Sequence, residues 1–469
     1  MSNATLTPAA KLQDVKYPSL NPIRMPEAVR HVLSSGMVVY LLRDDRLPLV
    51  DWELIAGAGS VWDPKGKQGV AELGGEVMRI GGTKEYPGGE MDDFLEGLAA
   101  KIEFDTNRTY TSVSGTSLSD QFDKVFGVFL DLLADPLFPE EKLQLEKMQH
   151  LSAIARRNDE PFEIARREMR KLIYGRHSVY SQFADPADVA AIDLAALRAW
   201  HQETFWPGNF ILGIWGDFNE AAVLALLEDL TSTWPVPTGK KPVRPELDPE
   251  LPGGTYLVSQ PHLNQSTILM GHLGGMRDDP DFFALAVLNR VLSEGFTSRL
   301  FSNVRSAKGL AYSVFGQWAA LFDYPGFFYA GCMTQTARTT EAIQAILFEI
   351  ERLQTEQITD QELFIARESY FNSFVFNFED TSKIVGRLLI FEYAGYPIDF
   401  LEKAKAAVDK VTAADVQRVA QTHLRVKDLK IVIVGEIKPD DPQLAPFFPV
   451  QEIDITIPEL PLAIADDAE

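Results

Sequence analysis

Two sets of residues have the types and spacing to do chemistry. Arg305 and Tyr312 stand close in sequence within the stretch Ser293–Trp318. A guanidinium presents a planar fork of donors and a phenol presents one, so the pair suits carbonyl or carboxylate oxygens. The plainer reading is an arginine that complements a helix end and a tyrosine that fills a core. Glu72 and Glu76 form the second set, at i and i+4 of a helical pattern. That spacing puts both carboxylates on one face. They could hold a hard cation weakly, or they could be a solvated acidic face. The seven histidines are His31, His150, His177, His201, His262, His272 and His423, and none has a second within four residues. A histidine metal site would need a long-range assembly that spacing does not show. No glycine-rich phosphate loop and no G-x-S-x-G elbow occurs, Cys332 has no evident base, and His150 and Asp159 are too isolated to form a triad.

The elements that must position these residues can be read from periodicity. Phe296, Leu300, Phe301 and Val304 share one side of a helical stretch, with Arg305 in its last turn. Gly309 fits the position after a helix where a left-handed backbone costs glycine little. Leu310–Phe315 then reads as a strand, and the helix–glycine–strand corner lets Arg305 and Tyr312 meet. In the first half, Val29–Leu33 and Val38–Arg43 flank a hairpin turn. Leu49–Ala56 alternates, with Val50, Trp52 and Leu54 opposite Asp51 and Glu53. Helices are expected from Val70 to about Ile80, Met91 to Lys101, Leu118 to Ala134, Pro139 to about Tyr174, and Leu194 to Thr204. Strands are expected at Glu103–Gly115 and Phe210–Trp215. The second half repeats this logic: a strand at Gln265–Gly271, helices at Asp281–Leu292, Thr339–Gln357 and Asp360 to about Phe376, and a strand at Leu429–Val434. Thr412 and Asp415 look like a capping box.

A chain of 469 residues exceeds what one core usually organises, roughly 250–300 residues, so two or more domains are expected. Residues 1–27 read as an extended arm, 28–234 as a first domain, 235–252 as a proline-rich, exposed linker, 253–445 as a second domain and 446–469 as a tail. Gly216-Asp217 and Gly435-Glu436 close equivalent strands nearly half the chain apart, which marks an internal duplication. With 67 acidic and 44 basic residues the formal net charge is −23. This argues against nucleic acid and anionic membrane surfaces as partners. The single cysteine excludes an intrachain disulfide and a multi-cysteine zinc site. No apolar run approaches a membrane span, and no intact signal peptide is visible. As written, the chain reads as cytoplasmic; a signal peptide trimmed from its start would make it periplasmic.

The run GFTSRLFSNVR…GLAYSV resembles the C-terminal-half signature of the insulinase/pitrilysin family, including its mitochondrial-processing-peptidase-like zinc peptidases. The resemblance covers nearly all of residues 28–440. It implies an α+β fold of two homologous α/β-roll domains, each an antiparallel-rich sheet with helices packed on one side. It also implies that Arg305 and Tyr312 hold a substrate backbone and stabilise an oxyanion. Catalytic members carry H-x-x-E-H on a first-domain helix, two histidines binding zinc and the glutamate acting as general base, with a distal glutamate ligand. Here the histidine positions are Glu72 and Glu76, the base position is Gly75, and the distal ligand falls at about Ala153. The resemblance therefore implies a chain without its own zinc, inactive alone. It would supply Arg305 and Tyr312 in trans to a homologous zinc-bearing subunit that cleaves extended peptides. A non-enzymatic scaffold, like the respiratory-complex core subunits, is the rival expectation. A self-sufficient peptidase with a different metal site ranks last.

Overall fold

A computed structural model describes residues 27–236, 243–247 and 252–460. All of the expected arm before Glu27 and the end of the expected tail lie outside the described residues. Among the described residues, twelve strands form two six-stranded sheets. The first contains β1 (Val29–Val32), β2 (Val38–Arg43), β3 (Leu49–Ala56), β4 (Lys101–Thr106), β5 (Thr111–Leu118) and β6 (Phe210–Gly216). The second contains β7 (Gly254–Ser259), β8 (Gln265–Leu273), β9 (Ala311–Ala319), β10 (Phe327–Gln335), β11 (Lys430–Gly435) and β12 (Val450–Glu452).

The strand orders are β1-β2-β6-β3-β5-β4 and β12-β7-β11-β8-β10-β9. From β2 and β7 onward the two sheets match strand for strand and direction for direction. Within these shared five strands each sheet has one parallel pair, β2 with β6 and β7 with β11, and the other pairings are antiparallel. Only the outermost strand differs: β1 pairs antiparallel with β2, whereas β12 pairs parallel with β7. That edge strand comes from the segment read as a tail. The equivalent closing glycines are Gly216 of β6 and Gly435 of β11.

β6 and β11 are buried at every position, so both sheets have an apolar interior that needs cover on two faces. One face of the first sheet packs on its own half's helices through Trp52, Leu54, Phe126 and Phe129. The other face is covered by the second half's helix Thr381–Ala394, whose Ile384, Val385, Leu388 and Leu389 meet Tyr40, Ile55, Ile211 and Trp215. A Cβ on Gly213 would lie 2.3 Å from Val385 Cγ1, so the approach is close. The reciprocal contact is made by helix Pro161–Tyr174, whose Ile164, Met169 and Ile173 lie on Val258, Leu269, Val432 and Val434 of the second sheet. Each fully buried side chain of this kind is worth roughly 1.5–3 kcal/mol. The exchanged helices therefore bind the halves into one body.

Several local expectations are corrected. The helix expected from Met91 runs from Gly89 to Gly97, and Lys101 opens β4. The single strand expected over Glu103–Gly115 is a hairpin, because the Asn107 side chain accepts from the N–H groups of Thr109 (2.9 Å) and Tyr110 (3.0 Å) and turns the chain. Leu118 ends β5, and the following helix starts at Phe122. The long helical stretch breaks into Glu140–Ala155 and Pro161–Tyr174, since Pro161 can only begin a helix. The described part of the linker is held against the protein at several points, although Val236 and Val243 remain exposed. Tyr180 donates to Pro245 O (2.7 Å), Arg244 donates to Asp323 O, and Leu247 packs on the interdomain core.

Candidate functional site

The helix carrying Glu72 and Glu76 spans Val70–Gly81. Its start is pinned by Asp63, whose carboxylate accepts from the N–H groups of Gly69 (2.7 Å) and Ala71 (3.0 Å). Burial pushes that carboxyl up to about 7. The two glycines inside the helix serve close packing rather than a kink. A Cβ on Gly74 would meet the Trp200 ring at 2.4 Å, and one on Gly75 would meet Thr106 Oγ1 at 3.0 Å. The side-chain position that would carry a general base is thus bare and faces the end of β4.

Glu72, Glu76 and Ala153 line a groove of about 870 Å³, with Glu146 and His150 beside them. Its far wall is the helix Glu140–Ala155. His150 sits one turn before Ala153, and its Nε2 lies 2.6 Å from Glu76 Oε2. One ligand atom each from Glu72, Glu76 and His150 lies within 4.8 Å of the others. Spacing alone does not show this approach; the fold brings His150 to the glutamate pair from a distant helix. Burial disfavours the His150 imidazolium, but the Glu76 hydrogen bond and the charges of Glu76, Glu72 and Glu146 outweigh it and hold the group above its ordinary value. Glu72 has an exposed surface toward the groove, yet protein surrounds it on most other sides. Desolvation therefore raises its carboxyl, opposed by His150. Cys332 is buried in the second core and its thiol is pushed up to about 12, so it is no nucleophile.

Arg305 and Tyr312 form the second site. The backbone of Phe301–Ala307 is a wide π turn: Lys308 N–H donates to Asn303 O (3.1 Å) and Leu310 N–H to Val304 O (3.0 Å). Such turns are rare and concentrate at functional sites. Gly309 takes the left-handed conformation expected of it, with φ +57°, and β9 follows. The corner brings the side chains together. The guanidinium carbon of Arg305 lies 4.6 Å from the Tyr312 ring centroid and 4.5 Å from that of Phe301. Tyr312 is 84% exposed. Among the described residues Arg305 has no carboxylate partner. With rings against it, its N–H edges remain for an outside acceptor. Phe296 is not on the buried face expected of it; it is 79% exposed and packs edge-on against Phe301.

Residues that sequence reading missed hold this corner in place. Arg338 donates to Gly309 O (3.1 Å), buried Thr334 to Leu310 O (2.7 Å), and Asn303 to Glu349 (2.8 Å). Their partners are mostly backbone carbonyls, which carry no residue-type signal. The residues lining the first-half groove and those lining the depression beside Tyr312 do not overlap. The chain therefore holds two separate faces.

Two family descriptions match the sequence side by side. Residues 39–187 match Insulinase (Peptidase family M16), and residues 191–370 match the Peptidase M16 inactive domain. The chain belongs to the M16 peptidase family. Glu72, Gly75, Glu76 and Ala153 fall in the first M16 match, Arg305 and Tyr312 in the second. An uncharacterized zinc protease of Streptomyces coelicolor is 23% identical over 377 residues, covering 77% of this chain and 80% of its own length. The non-peptidase homolog YmxG of Helicobacter pylori is 22% identical over 387 residues, with 82% and 88% covered. A crystal structure of a peptidase M16 inactive domain from Pseudomonas fluorescens superposes with TM-score 0.79 at 24% identity, covering 88% of this chain and 98% of that one. A protease structure from Helicobacter pylori gives 0.78 at 19%, covering 87% and 100%. These superpositions establish the M16 fold. Among the described residues, no helix is long and apolar enough to cross a membrane.

Proposed function

We propose that this chain is a non-catalytic M16 subunit that presents Arg305 and Tyr312 to a peptide held in the active site of a homologous zinc-bearing partner. The observation that carries the reading is the exposed Arg305–Tyr312 stack, which has no internal acceptor among the described residues. A scaffold has no use for a partly exposed arginine in a constrained π turn stacked on an exposed tyrosine of β9. The base position is Gly75 and the distal ligand position is Ala153, so this chain lacks the group that would take a proton from water. The M16 inactive-domain match and the printed name of the Helicobacter relative support the same reading.

In this arrangement the partner's metal site supplies the attacking water. Arg305 and Tyr312 donate hydrogen bonds to the peptide carbonyl, where negative charge develops, and such donors gain most as that charge forms. Extended peptide would be held by strand addition at a sheet edge. The test is co-expression with an H-x-x-E-H-bearing homologue from the same organism. Peptide cleavage is expected from the pair and not from this chain alone. Chelator-sensitive cleavage by the rigorously purified lone chain would overturn the proposal. Cleavage by the pair that is indifferent to replacement of both Arg305 and Tyr312 would favour the scaffold.

A further inference from the structure

We infer that the open half of the β9 edge, the main chain at Val314 next to Arg305 and Tyr312, takes up an extended peptide by strand addition. The inference rests on the proposed function, in which Arg305 and Tyr312 face a peptide. It adds the strand of this chain that binds and the group that is recognised, the peptide's own main chain. Among the described residues β9 is the outermost strand of the second sheet and pairs only with β10. In an antiparallel edge strand every second residue turns its N–H and C=O away from the sheet. Two side chains show which residues these are. Ser293 Oγ donates to Gly316 O (2.6 Å), and Asn289 Oδ1 accepts from Trp318 N–H (2.8 Å). The outward set therefore runs Trp318, Gly316, Val314.

One helix closes this edge and then stops. Asn289 and Ser293 stand one turn apart on the helix Phe282–Ser293. Four residues of helix and two of strand advance by a similar length, roughly 6–7 Å, so helix and edge stay in step. Thr297 would be the next residue to reach the edge, opposite Val314. The helix ends first: Glu294 is extended and Gly295 takes φ +82°, which turns the chain away, and Thr297 is exposed. Among the described residues no group outside the sheet bonds to the main chain of Val314. An open N–H and C=O at an edge is a template for another strand.

The open half coincides with the second site. The β9–β10 register shifts between Cys332 and Thr334, opposite Tyr312 and Ser313. A bulge of this kind re-aims side chains. In plain alternation Tyr312 would share the face of Val314 and Gly316, which lies against the second-half core and Leu300. With the shift its ring is exposed and stacked on Arg305. A strand added at Val314 therefore passes beside both donors. A depression of about 380 Å³, lined in part by Tyr312, Ser313 and Arg338, opens at the same end of β9 and has room for one side chain. The occupant is a peptide rather than a second copy of the chain because the open stretch is short. The cap at Gly316 and the bulge at Tyr312 leave too few main-chain groups to join two sheets, but enough to set the register of a peptide whose carbonyl meets Arg305 and Tyr312.

The test uses the full chain alone, so that binding is read apart from cleavage by a pair. Fluorescein-labelled synthetic peptides of varied sequence, unstructured in water, are titrated and followed by anisotropy. Those that bind are remade with an N-methyl group at each position in turn. Saturable binding is expected, weakened by N-methylation at alternate positions and not at those between, because only every second residue of an added strand faces β9. Each sensitive position should lose about tenfold or more, the size of one main-chain hydrogen bond. Val314→Pro removes the outward N–H but no ladder bond and should weaken binding to a similar degree. Where that variant fails to fold, the N-methyl series on the wild-type chain still decides. Binding by no peptide, N-methyl sensitivity at no position or equally at all, or self-association of the chain that Val314→Pro abolishes would overturn the inference. Such a failure in a chain whose reconstituted pair still requires Arg305 and Tyr312 strikes the edge alone and leaves the proposed function standing.

Discussion

The two halves share one strand order, but their functional faces have gone different ways. In the first half the helix that should carry a base and metal-binding histidines keeps its place, its pinned start and its packing on Trp200. Glu72 and Glu76 border the groove, and Gly75, at the base position, is buried against Thr106. In the second half the Arg305–Tyr312 corner has a left-handed glycine, a π turn and stacked donors. A scaffold helix survives because its buried face is coupled to the core. The Arg305–Tyr312 stack, with Tyr312 exposed and no carboxylate partner for Arg305 among the described residues, is the observation behind the proposed function.

The largest expected effect tests that contrast directly. In the reconstituted pair, Tyr312→Phe removes one donor and should lower turnover by about 10²–10³-fold. Thermal stability should hardly move, since the ring is mostly exposed. Arg305→Lys keeps the charge but loses the planar fork and should also be defective. Full activity in both variants would erase the difference between the halves.

A second experiment tests a histidine buried in the second half. His272 is buried on β8. Its Nδ1–H donates to Leu273 O (2.8 Å), its Nε2 accepts from Arg425 N–H (3.1 Å), and burial drops its pKa to about 4. The folded value lies below the unfolded one of about 6.5, so the unfolded chain takes up the proton first as pH falls. Its contribution is complete above pH 6.5 and is lost toward pH 4, by at most about 3 kcal/mol. Denaturant unfolding measured across that window should show this slope, and His272→Gln should flatten it. An unchanged slope would mean that His272 is not the buried neutral group the fold requires.

Smaller effects sharpen the picture of the two scaffolds. Gly74→Ala should destabilise by about 1–3 kcal/mol through overpacking against Trp200. Gly75→Ala should stay within about 1 kcal/mol of neutral, because better helix propensity offsets the tighter contact with Thr106. Comparing the two unfolding midpoints separates packing from lost chemistry. In the second half, Gly309→Ala has open space around it but a left-handed backbone. It should cost about 1–2 kcal/mol, with Gly309→Asn costing less. Equal midpoints for wild type and Gly309→Ala would show that the corner is not held in that conformation.

Much of this was written in the sequence by itself. Alternation along Leu49–Ala56, the glycine after the Arg305 helix and the recurrence of a helix–strand unit ending at Gly216 and again at Gly435 follow from local periodicity and backbone preference. Glu72, Gly75 and Glu76 could be set against a motif because that motif is a spacing on one helix, whereas Ala153 lies on a second helix, Glu140–Ala155. The tertiary structure decided what periodicity cannot encode. His150 joins Glu76 from a different helix, far along the chain. Neighbours across a groove are set by helix packing, not by sequence distance. Helices Pro161–Tyr174 and Thr381–Ala394 look like ordinary amphipathic segments, and nothing in an apolar stripe names the sheet it will cover. Their exchange between the halves is fixed only when both sheets exist and each needs its second face closed.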